Sequence, residues 1–196
     1  MEKLTSDFFD RDTVTVAREL LGKHLVRVWG GVPLMVRITE TEAYVGRSDK
    51  ACHAYGYKRT KRTETLFAPP GTAYIYFIYG MYHCLNFVTE AEGEPAAVLI
   101  RAGEPVSQAD ADAISVKRFG CTAHELSAYQ RKNFLNGPGK LCKGLSLTTE
   151  QNGLPLSGDE LYLLDSGERP ETIHTGRRIG IDYAEEAADF PWRFYL

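Results

Sequence analysis

Two glutamates, Glu40 and Glu42, stand two positions apart in residues 36–46, whose sequence VRITETEAYVG predicts a β-strand. Alternate residues of a strand point to the same face, so both carboxylates are expected to share a face with Val36 and Ile38. Because one face of a sheet is normally packed, this face is expected to point inward. A partly desolvated carboxylate in a cleft can act as a general base on water.

The glutamate pair leaves other interpretations open. The rise of a strand separates the two carboxylates by about 6–7 Å, which could suit an inverting glycoside hydrolase. Alternatively, the register of the strand slips, or both carboxylates lie on a solvated rim, since register is weakly determined by a single sequence. The sequence pattern alone does not separate these possibilities.

An aromatic run, YIYFIYGMY at residues 74–82, predicts a strand pair that is interrupted at Gly80. Tyrosines fall on both faces of the first strand, so some of them are expected outside the packed core. Half-buried tyrosines are ordinary strand residues. The functional interpretation is a stacking surface for a planar ring, with Tyr79 beside the turn as a wedge between bases.

Basic residues gather in two places on a chain whose formal net charge is −3. The overall charge does not indicate nucleic acid, so such a partner depends on local patches. Each cluster is either a solvated surface or a set of phosphate contacts, and the second flanks NGPGK, a glycine-rich turn before a helix. The clusters consist of Arg47, Lys50, Lys58, Arg59, Lys61 and Arg62, and of Lys117, Arg118, Arg131, Lys132, Lys140 and Lys143.

The composition, 43% hydrophobic and 25% charged over 196 residues, is typical of one globular domain. Four cysteines without CxxC spacing favour reduced thiols in a reducing, cytoplasmic compartment. The N-terminus lacks the apolar run of a signal peptide, and no segment is long enough to span a membrane. The neighbouring pairs Cys52–His53 and His83–Cys84 lack the spacing of zinc ligands, so no metal site is expected.

The elements that must position these residues follow from capping and turn signals. A helix is predicted after the N-cap Asp12, closed by Gly22. Gly30 and Gly31 predict a hairpin between two strands, the second of which carries the glutamate pair. These signals place the glutamates on a strand early in the chain.

The second half of the chain is predicted to be helical first and then extended. A short strand is expected over residues 96–105, and a capping box from Thr122 to Glu125 predicts a helix over residues 122–135. Pro138 marks the first turn of another helix, and strands follow at LYLLD and at the C-terminus. The order of strands, helices and strands predicts an α+β fold with a largely antiparallel sheet.

Several segments together resemble one protein family. In chain order they are ETEAYVG followed by His53 in a loop, then PPGTAYIYFIYGMYHCLNFV, VLIRAGEP, NGPGKLC and PWRFYL. They resemble the alkyladenine, or 3-methyladenine, DNA glycosylases of the methylpurine type, across nearly the whole chain. The resemblance implies a single glycosylase domain over residues 1–196, with a curved antiparallel β core and peripheral helices, akin to the formyltransferase C-terminal domain.

The resemblance also implies an activity. The N-glycosidic bond of 3-methyladenine, 7-methylguanine, hypoxanthine or ethenoadenine, flipped out of double-stranded DNA, is hydrolysed by a glutamate-activated water. The product is an abasic site, and the reaction needs no metal or cofactor. No lyase activity and no membrane association are expected, and the protein is expected to be a monomer.

Roles for single residues are likewise implied by the resemblance. Glu42 matches the general base, and Arg101 matches the arginine that helps to hold the water. Tyr79 matches the side chain that fills the gap in the duplex. The base pocket corresponds to Tyr44, His53, Tyr76 and Asn86, the last thought to disfavour normal guanine. The two basic clusters, rather than the resemblance, are the basis for expecting contacts to the DNA backbone from Arg47, Lys58, Arg59, Arg62 and Lys140.

The alternative function is a non-enzymatic module that binds single-stranded nucleic acid. It would explain the aromatic and basic residues but would leave an inward Glu42 and Arg101 without a role. A carbohydrate hydrolase using Glu40 and Glu42 would leave the basic clusters unexplained.

Overall fold

A nine-stranded antiparallel sheet forms the centre of the computed structural model, which describes residues 1–196. The strands are β1 (Glu2–Lys3), β2 (His24–Trp29), β3 (Val32–Val45), β4 (Ala73–Ile78), β5 (Tyr82–Val88), β6 (Ala96–Pro105), β7 (Leu161–Asp165), β8 (His174–Gly176) and β9 (Arg193–Tyr195). The helices are α1 (Ser6–Phe9), α2 (Thr13–Glu19), α3 (Gln108–Phe119), α4 (Ala128–Lys132) and α5 (Pro138–Gly144). The predicted α+β fold class is confirmed.

The strand order is β1-β7-β2-β3-β6-β5-β4. The 14-residue strand β3 is long enough to have two neighbours on one edge, with β2 pairing along its first part and β9 along Glu40–Glu42. The chain end therefore returns to the centre of the sheet beside the glutamate pair. None of the helices has the length and apolar character needed to cross a membrane.

One face of the sheet packs against the main hydrophobic core. Alternate residues of the central strands enter it, for example Ile75 of β4, Phe87 of β5 and Ile100 of β6, and they meet Ala17 of α2 and Leu141 of α5. Burial of such side chains stabilises the fold by about 1.5–3 kcal/mol each. The residues between them, which point to the other face, are available for a site.

Two irregularities interrupt the pairing of β3 with β6. Thr39 of β3 has no partner between the paired residues Ile38 and Glu40, and Arg101 of β6 has none in the steps that follow. An unpaired residue in a strand shifts the side chains that follow it to the other face. Both bulges lie where the glutamate pair begins, so they determine which side chains point to each face of the sheet.

The bulge at Thr39 corrects the predicted face of the glutamates. Val36 and Ile38 point into the main core before the bulge, and Ala43 points into the same core after it. Glu42 alternates with Ala43 and so lies on the opposite face. The prediction that both glutamates share a face with Val36 and Ile38 is wrong, because the strand carries one extra residue between them.

Several local predictions are confirmed. The carboxylate of Asp12 accepts a hydrogen bond from the Thr15 N–H at 2.8 Å at the start of α2, and the chain turns at Gly22. Gly30 and Gly31 have positive φ angles of 58° and 79° in the hairpin between β2 and β3. These φ angles are accessible to glycine without steric cost.

The predicted helix over residues 122–135 is broken in two. The capping box of Thr122 and Glu125 forms, but it opens only the 3-10 turn Ala123–Glu125. A second capping box at Ser127 then opens α4. The longest helix, α3, begins at the N-cap Ser107 and is not among the elements predicted from capping and periodicity.

Candidate functional site

A cavity of about 550 Å³ opens on the face of the sheet opposite the main core. Strands β4, β5 and β6 supply lining residues such as Tyr76, Asn86 and Arg101, and the loop after β3 supplies His53. The segment around Ile179 closes another side. A concave and largely apolar site with a few polar groups is typical of small-ligand binding.

Glu42 lies directly behind the cavity wall, in contact with the lining residues Tyr44, Arg101 and Ile179, and its side chain is fully buried. Its Oε2 accepts a hydrogen bond from the Tyr44 hydroxyl at 2.6 Å, and its Oε1 accepts one from the Ile179 N–H at 2.8 Å. Arg101 Nη1 lies 3.4 Å from Oε1. Burial raises the pKa of Glu42, while Arg101 and the two hydrogen-bond donors act to lower it.

Arg101 is held by the other glutamate. Its Nε donates to Glu40 Oε1 at 3.0 Å, and the same oxygen accepts from Arg193 Nε at 2.6 Å. Like Glu42, Glu40 is not itself a lining residue of the cavity. A carboxylate occupied by two arginines is unsuited to act on a ligand, so the geometry does not favour the paired-carboxylate hydrolase. Glu40 instead orients Arg101.

Aromatic side chains form much of the cavity wall. The rings of His53 and Tyr76 lie edge to face, with centroids 4.7 Å apart, and the rings of Tyr74 and Tyr76 are 5.4 Å apart. Burial, with a contribution from Arg62, lowers the pKa of His53 to about 4. The imidazole is therefore neutral at pH 7. Tyr44 also lines the cavity.

Asn86 is buried in the cavity wall with its amide group fixed. Its Nδ2 donates to the backbone carbonyls of Tyr74 at 3.0 Å and Cys84 at 3.3 Å. Since both donor contacts are to main chain, the amide cannot turn without losing them. The orientation of this polar group in the cavity is set by the β4–β5 pairing.

Tyr79 projects from the tip of the β4–β5 hairpin at the mouth of the cavity, and it is 79% exposed. Its φ angle is 54° and that of Gly80 is 68°, as at the two central positions of a type I′ turn. The Met81 N–H donates to the Ile78 carbonyl across this turn at 3.3 Å. A left-handed backbone is unfavourable for tyrosine, so the turn presents the ring at a cost in stability.

The predicted backbone contacts fall into two groups. Arg47 is bonded to Glu90, and Arg59 makes two hydrogen bonds to Glu64 at 3.0 and 2.6 Å. The other predicted residues are less occupied by acidic partners: Lys58 has no ion pair, Arg62 lies 5.3 Å from the Tyr76 ring centroid, and Lys140 lines the cavity. The structure brings Arg62 and Lys140 to the site and holds Arg47 and Arg59 against glutamates.

Three parts of the site were missed at the level of sequence. Tyr74 lines the cavity, and its period-2 spacing from Tyr76 was a usable signal. Ile179 acts through its backbone N–H, which no residue type can reveal. Tyr183, 67% exposed at the cavity mouth, lies in a C-terminal segment without a recognisable motif. No group of three or more His, Cys, Asp or Glu side chains is arranged to hold a metal ion.

A buried carboxylate beside an arginine, at the wall of an aromatic cavity, defines a site for a planar ring and for acid–base chemistry next to it. The family model of the methylpurine-DNA glycosylases (MPG) matches residues 7–196. The chain belongs to this family, which confirms the resemblance in its motifs. Membership makes it a DNA glycosylase, a hydrolase of DNA repair.

Similar proteins cover the same length. A Clostridium perfringens protein described as "Putative 3-methyladenine DNA glycosylase" is 53% identical over 197 residues, covering 99% of this chain and 95% of its own. Proteins with the same description from Clostridium acetobutylicum and Desulfitobacterium hafniense are 49% and 48% identical. They cover 99% and 100% of this chain, and 94% and 96% of their own chains.

Proposed function

We propose that the protein hydrolyses the N-glycosidic bond of alkylated or deaminated purines flipped out of duplex DNA. The substrates include 3-methyladenine, 7-methylguanine, hypoxanthine and ethenoadenine, and the products are the free base and an abasic site. The observation that carries the proposal is the contact between Arg101, which lines an aromatic cavity, and the buried Glu42 directly behind it. The protein acts as a monomer on DNA.

The first step is extrusion of the damaged nucleotide, because a base inside a duplex cannot be reached by a buried carboxylate. The exposed Tyr79 ring enters the stack and occupies the space left by the base. Its position at the cavity mouth supports this role. Damaged bases unstack at lower cost, which contributes selectivity before any contact with the cavity.

In the cavity, the extruded ring lies between Tyr44 and Tyr76. A cationic alkylated purine gains about 0.5–2 kcal/mol from aromatic faces, a gain that neutral normal bases lack. The neutral state of His53 supports this proposal, since an imidazolium would repel a cationic ring. The fixed amide of Asn86 limits which exocyclic groups fit beside the purine.

Hydrolysis uses one water and two side chains. We place the water beside Arg101 Nη1 and Glu42 Oε1, whose separation of 3.4 Å is longer than an ordinary charge-assisted hydrogen bond. Glu42 accepts a proton as the water oxygen bonds to the anomeric carbon, and the C–N bond breaks with its electron pair leaving on the base. Help from a general base typically gives about 10²–10⁴-fold.

The reaction stops at the abasic site. A lyase would need a free amine to form a Schiff base with the sugar. The cavity residue Lys140 donates from Nζ to Asn133 Oδ1 at 2.8 Å and to Asn136 Oδ1 at 2.9 Å. An ammonium held by these oxygens is unsuited to attack, which supports a monofunctional enzyme.

The test is single-turnover excision on duplex oligonucleotides carrying one hypoxanthine or one ethenoadenine, and on methylated DNA. We expect release of free base, with strand breaks only after alkali. Glu42→Gln should bind lesion DNA and lose about 100-fold or more in rate. Glu104→Gln, at an exposed glutamate of β6, is the matched control and should keep the rate.

The outcomes separate the alternatives. A Glu42→Gln variant with the rate of the unmodified protein would remove Glu42 from its role as base. Absence of release on every substrate, together with tight binding to single strands, would favour the single-strand binding function instead.

A further inference from the structure

A second charged pair lies wholly inside the protein behind the cavity. Arg178 and Asp49 form two hydrogen bonds, one of 2.8 Å between Nη2 and Oδ1, and both side chains are 0% exposed. Taking two charges out of water is unfavourable unless the geometry is good and the remaining donors are satisfied. Arg178 meets this condition in part: its two terminal nitrogens also donate to the carbonyls of Ala43 at 2.8 Å and Ala187 at 2.9 Å, while its Nε is buried without a hydrogen-bond partner.

The Arg178–Asp49 ion pair connects three segments of the chain that come together beside the cavity. Ala43 belongs to β3, between Glu42 and Tyr44. Asp49 begins the loop that leads to His53, and its carboxylate accepts from the Ala51 N–H at 2.9 Å and the Val45 N–H at 3.3 Å. Arg178 belongs to the C-terminal segment. One ion pair thus fixes the strand, the cavity loop and the chain end relative to one another.

Two of the three donors that contact Glu42 depend on Arg178. Its guanidinium carbon lies 4.7 Å from the centroid of the Tyr44 ring and 5.2 Å from that of Trp192. The Tyr44 hydroxyl donates to one carboxylate oxygen of Glu42. The next residue after Arg178, Ile179, donates its N–H to the other oxygen. The guanidinium of Arg178 therefore packs against the ring that carries one donor, and the main chain of Arg178 is bonded directly to the other donor, the Ile179 N–H.

We infer that Arg178 and Asp49 are positioning residues for base excision, holding the Tyr44 hydroxyl and the Ile179 N–H against Glu42. This inference rests on the proposed function. It explains why a buried ion pair is retained where apolar residues would pack at lower electrostatic cost. The pair touches neither the water nor the base, and it acts through the donors that orient the carboxylate.

A role in positioning predicts a distinctive effect on the pH profile. The charged and titratable groups facing Glu42 are Arg101 from β6, Cys84 from β5, Arg193 opposite it on β9, and Glu40 and Tyr44 from its own strand. Both the Tyr44 hydroxyl and the Ile179 N–H lower the pKa of Glu42. If they are displaced, Glu42 binds its proton more tightly, and the acid limb of the rate profile moves to higher pH.

The experiment compares Arg178→Lys and Asp49→Asn with the unmodified chain on hypoxanthine DNA, below the unfolding temperature of each variant. We expect the single-turnover rate to fall about 10–100-fold, as for small displacements of reacting groups, while affinity for DNA carrying an abasic-site analogue stays within about twofold. The acid limb should move to higher pH in both variants.

The control is a half-buried ion pair far from the cavity. Lys23, whose side chain is 4% exposed, lies 2.8 Å from Asp165 and touches neither the cavity nor Glu42. Lys23→Gln should lower thermal stability and leave the rate constant and the acid limb unchanged. Rate constants for folded Arg178→Lys and Asp49→Asn that match the unmodified chain would overturn the inference. Absence of release by the unmodified chain would instead contradict the proposed function.

Variants that do not fold are covered by a measurement on the unmodified chain. The Ile179 amide should exchange its hydrogen as slowly as the Ala43 amide, which donates to Trp192 within the sheet. Exchange of Ile179 at the rate of exposed loops would show that the donor is not held, and the positioning role would be rejected.

Discussion

At the residue scale, the site depends on a carboxylate that the fold holds away from water. Glu42 is fully buried, and its pKa is raised by burial despite three neighbours that lower it. The ionised form required of a general base is therefore the form that the folded state disfavours. A buried carboxylate that must be ionised to function lowers the stability of the folded chain.

Replacing Glu42 with glutamine should be more favourable to stability at neutral and alkaline pH than at acidic pH. Because the folded chain binds the Glu42 proton more tightly than the unfolded chain, the free energy of unfolding falls as pH rises between the two pKa values, and stays lower above them. Each unit of difference between the pKa values of the folded and unfolded chain lowers the free energy of unfolding by about 1.4 kcal/mol. Urea unfolding should show Glu42→Gln gaining on the unmodified chain at pH 8 relative to pH 4. An equal difference at both pH values would contradict this, and Glu104→Gln controls for the loss of one charge.

The candidate residues of the site could be selected at this scale because they lie in long, ordered motifs. Glu42, Arg101 and Tyr76 were reached through such motifs, and all lie at or beside one cavity. Their roles in catalysis remain predictions. The contacts of Glu42 with Ile179 and of Arg178 with Asp49 could not be predicted, since one involves a backbone group and the other joins residues 129 positions apart.

At the scale of elements, strand alternation predicted the strands and failed at a bulge. The period-2 pattern contains no sign that Thr39 is unpaired, so the face of Glu42 was predicted incorrectly. The region from Val106 to Phe134 was predicted to be helical, but the bounds of α3 were not predicted because only two of its residues, Ile114 and Ser115, are buried. Capping boxes were predicted well, but a box determines where a helix begins and not how far it continues.

The hairpin that carries Tyr79 should become more stable when the tyrosine is removed. Tyr79→Asn places a residue favoured at this position of a type I′ turn, so unfolding should require about 1 kcal/mol more. The same variant loses the ring proposed to enter the duplex, so its affinity for lesion DNA and its excision rate should fall. Tyr79→Phe keeps both the ring and the strained backbone and serves as control. A variant that gains stability and keeps full activity would exclude the wedge.

At the scale of the whole molecule, a net-negative chain must bind a polyanion through selected cations. Arg47 and Arg59 are already held by glutamates, whereas Lys58 is exposed without an ion pair and Lys140 lies at the cavity. Binding of DNA is therefore expected to depend on fewer charges than the sequence contains. The sequence clusters do not show which cations are paired with acidic side chains, as Arg47 is with Glu90 and Arg59 is with Glu64.

The salt dependence of DNA binding should distinguish free cations from paired ones. Each phosphate contact contributes a slope of about 0.9 when log affinity is plotted against log salt, so Lys58→Gln and Lys140→Gln should each reduce the slope by about that amount. Arg59→Gln should reduce it less. The control is Lys3→Gln. Lys3 lies in the distant strand β1 and is paired with Asp159. Equal slopes for Lys58→Gln and the unmodified chain would exclude Lys58 as a phosphate contact.

Because Thr39 is unpaired, the number of residues in β3 determines which side chains face the cavity. Deleting one residue there would turn Thr41 and Ala43 toward the cavity and aim both carboxylates at the hydrophobic core. Most sheets tolerate a change of length at a hairpin, where no face is reversed. In this fold a single insertion or deletion between Ile38 and Glu40 would exchange the two sides of the molecule, so evolution can substitute residues here far more easily than it can add or remove them.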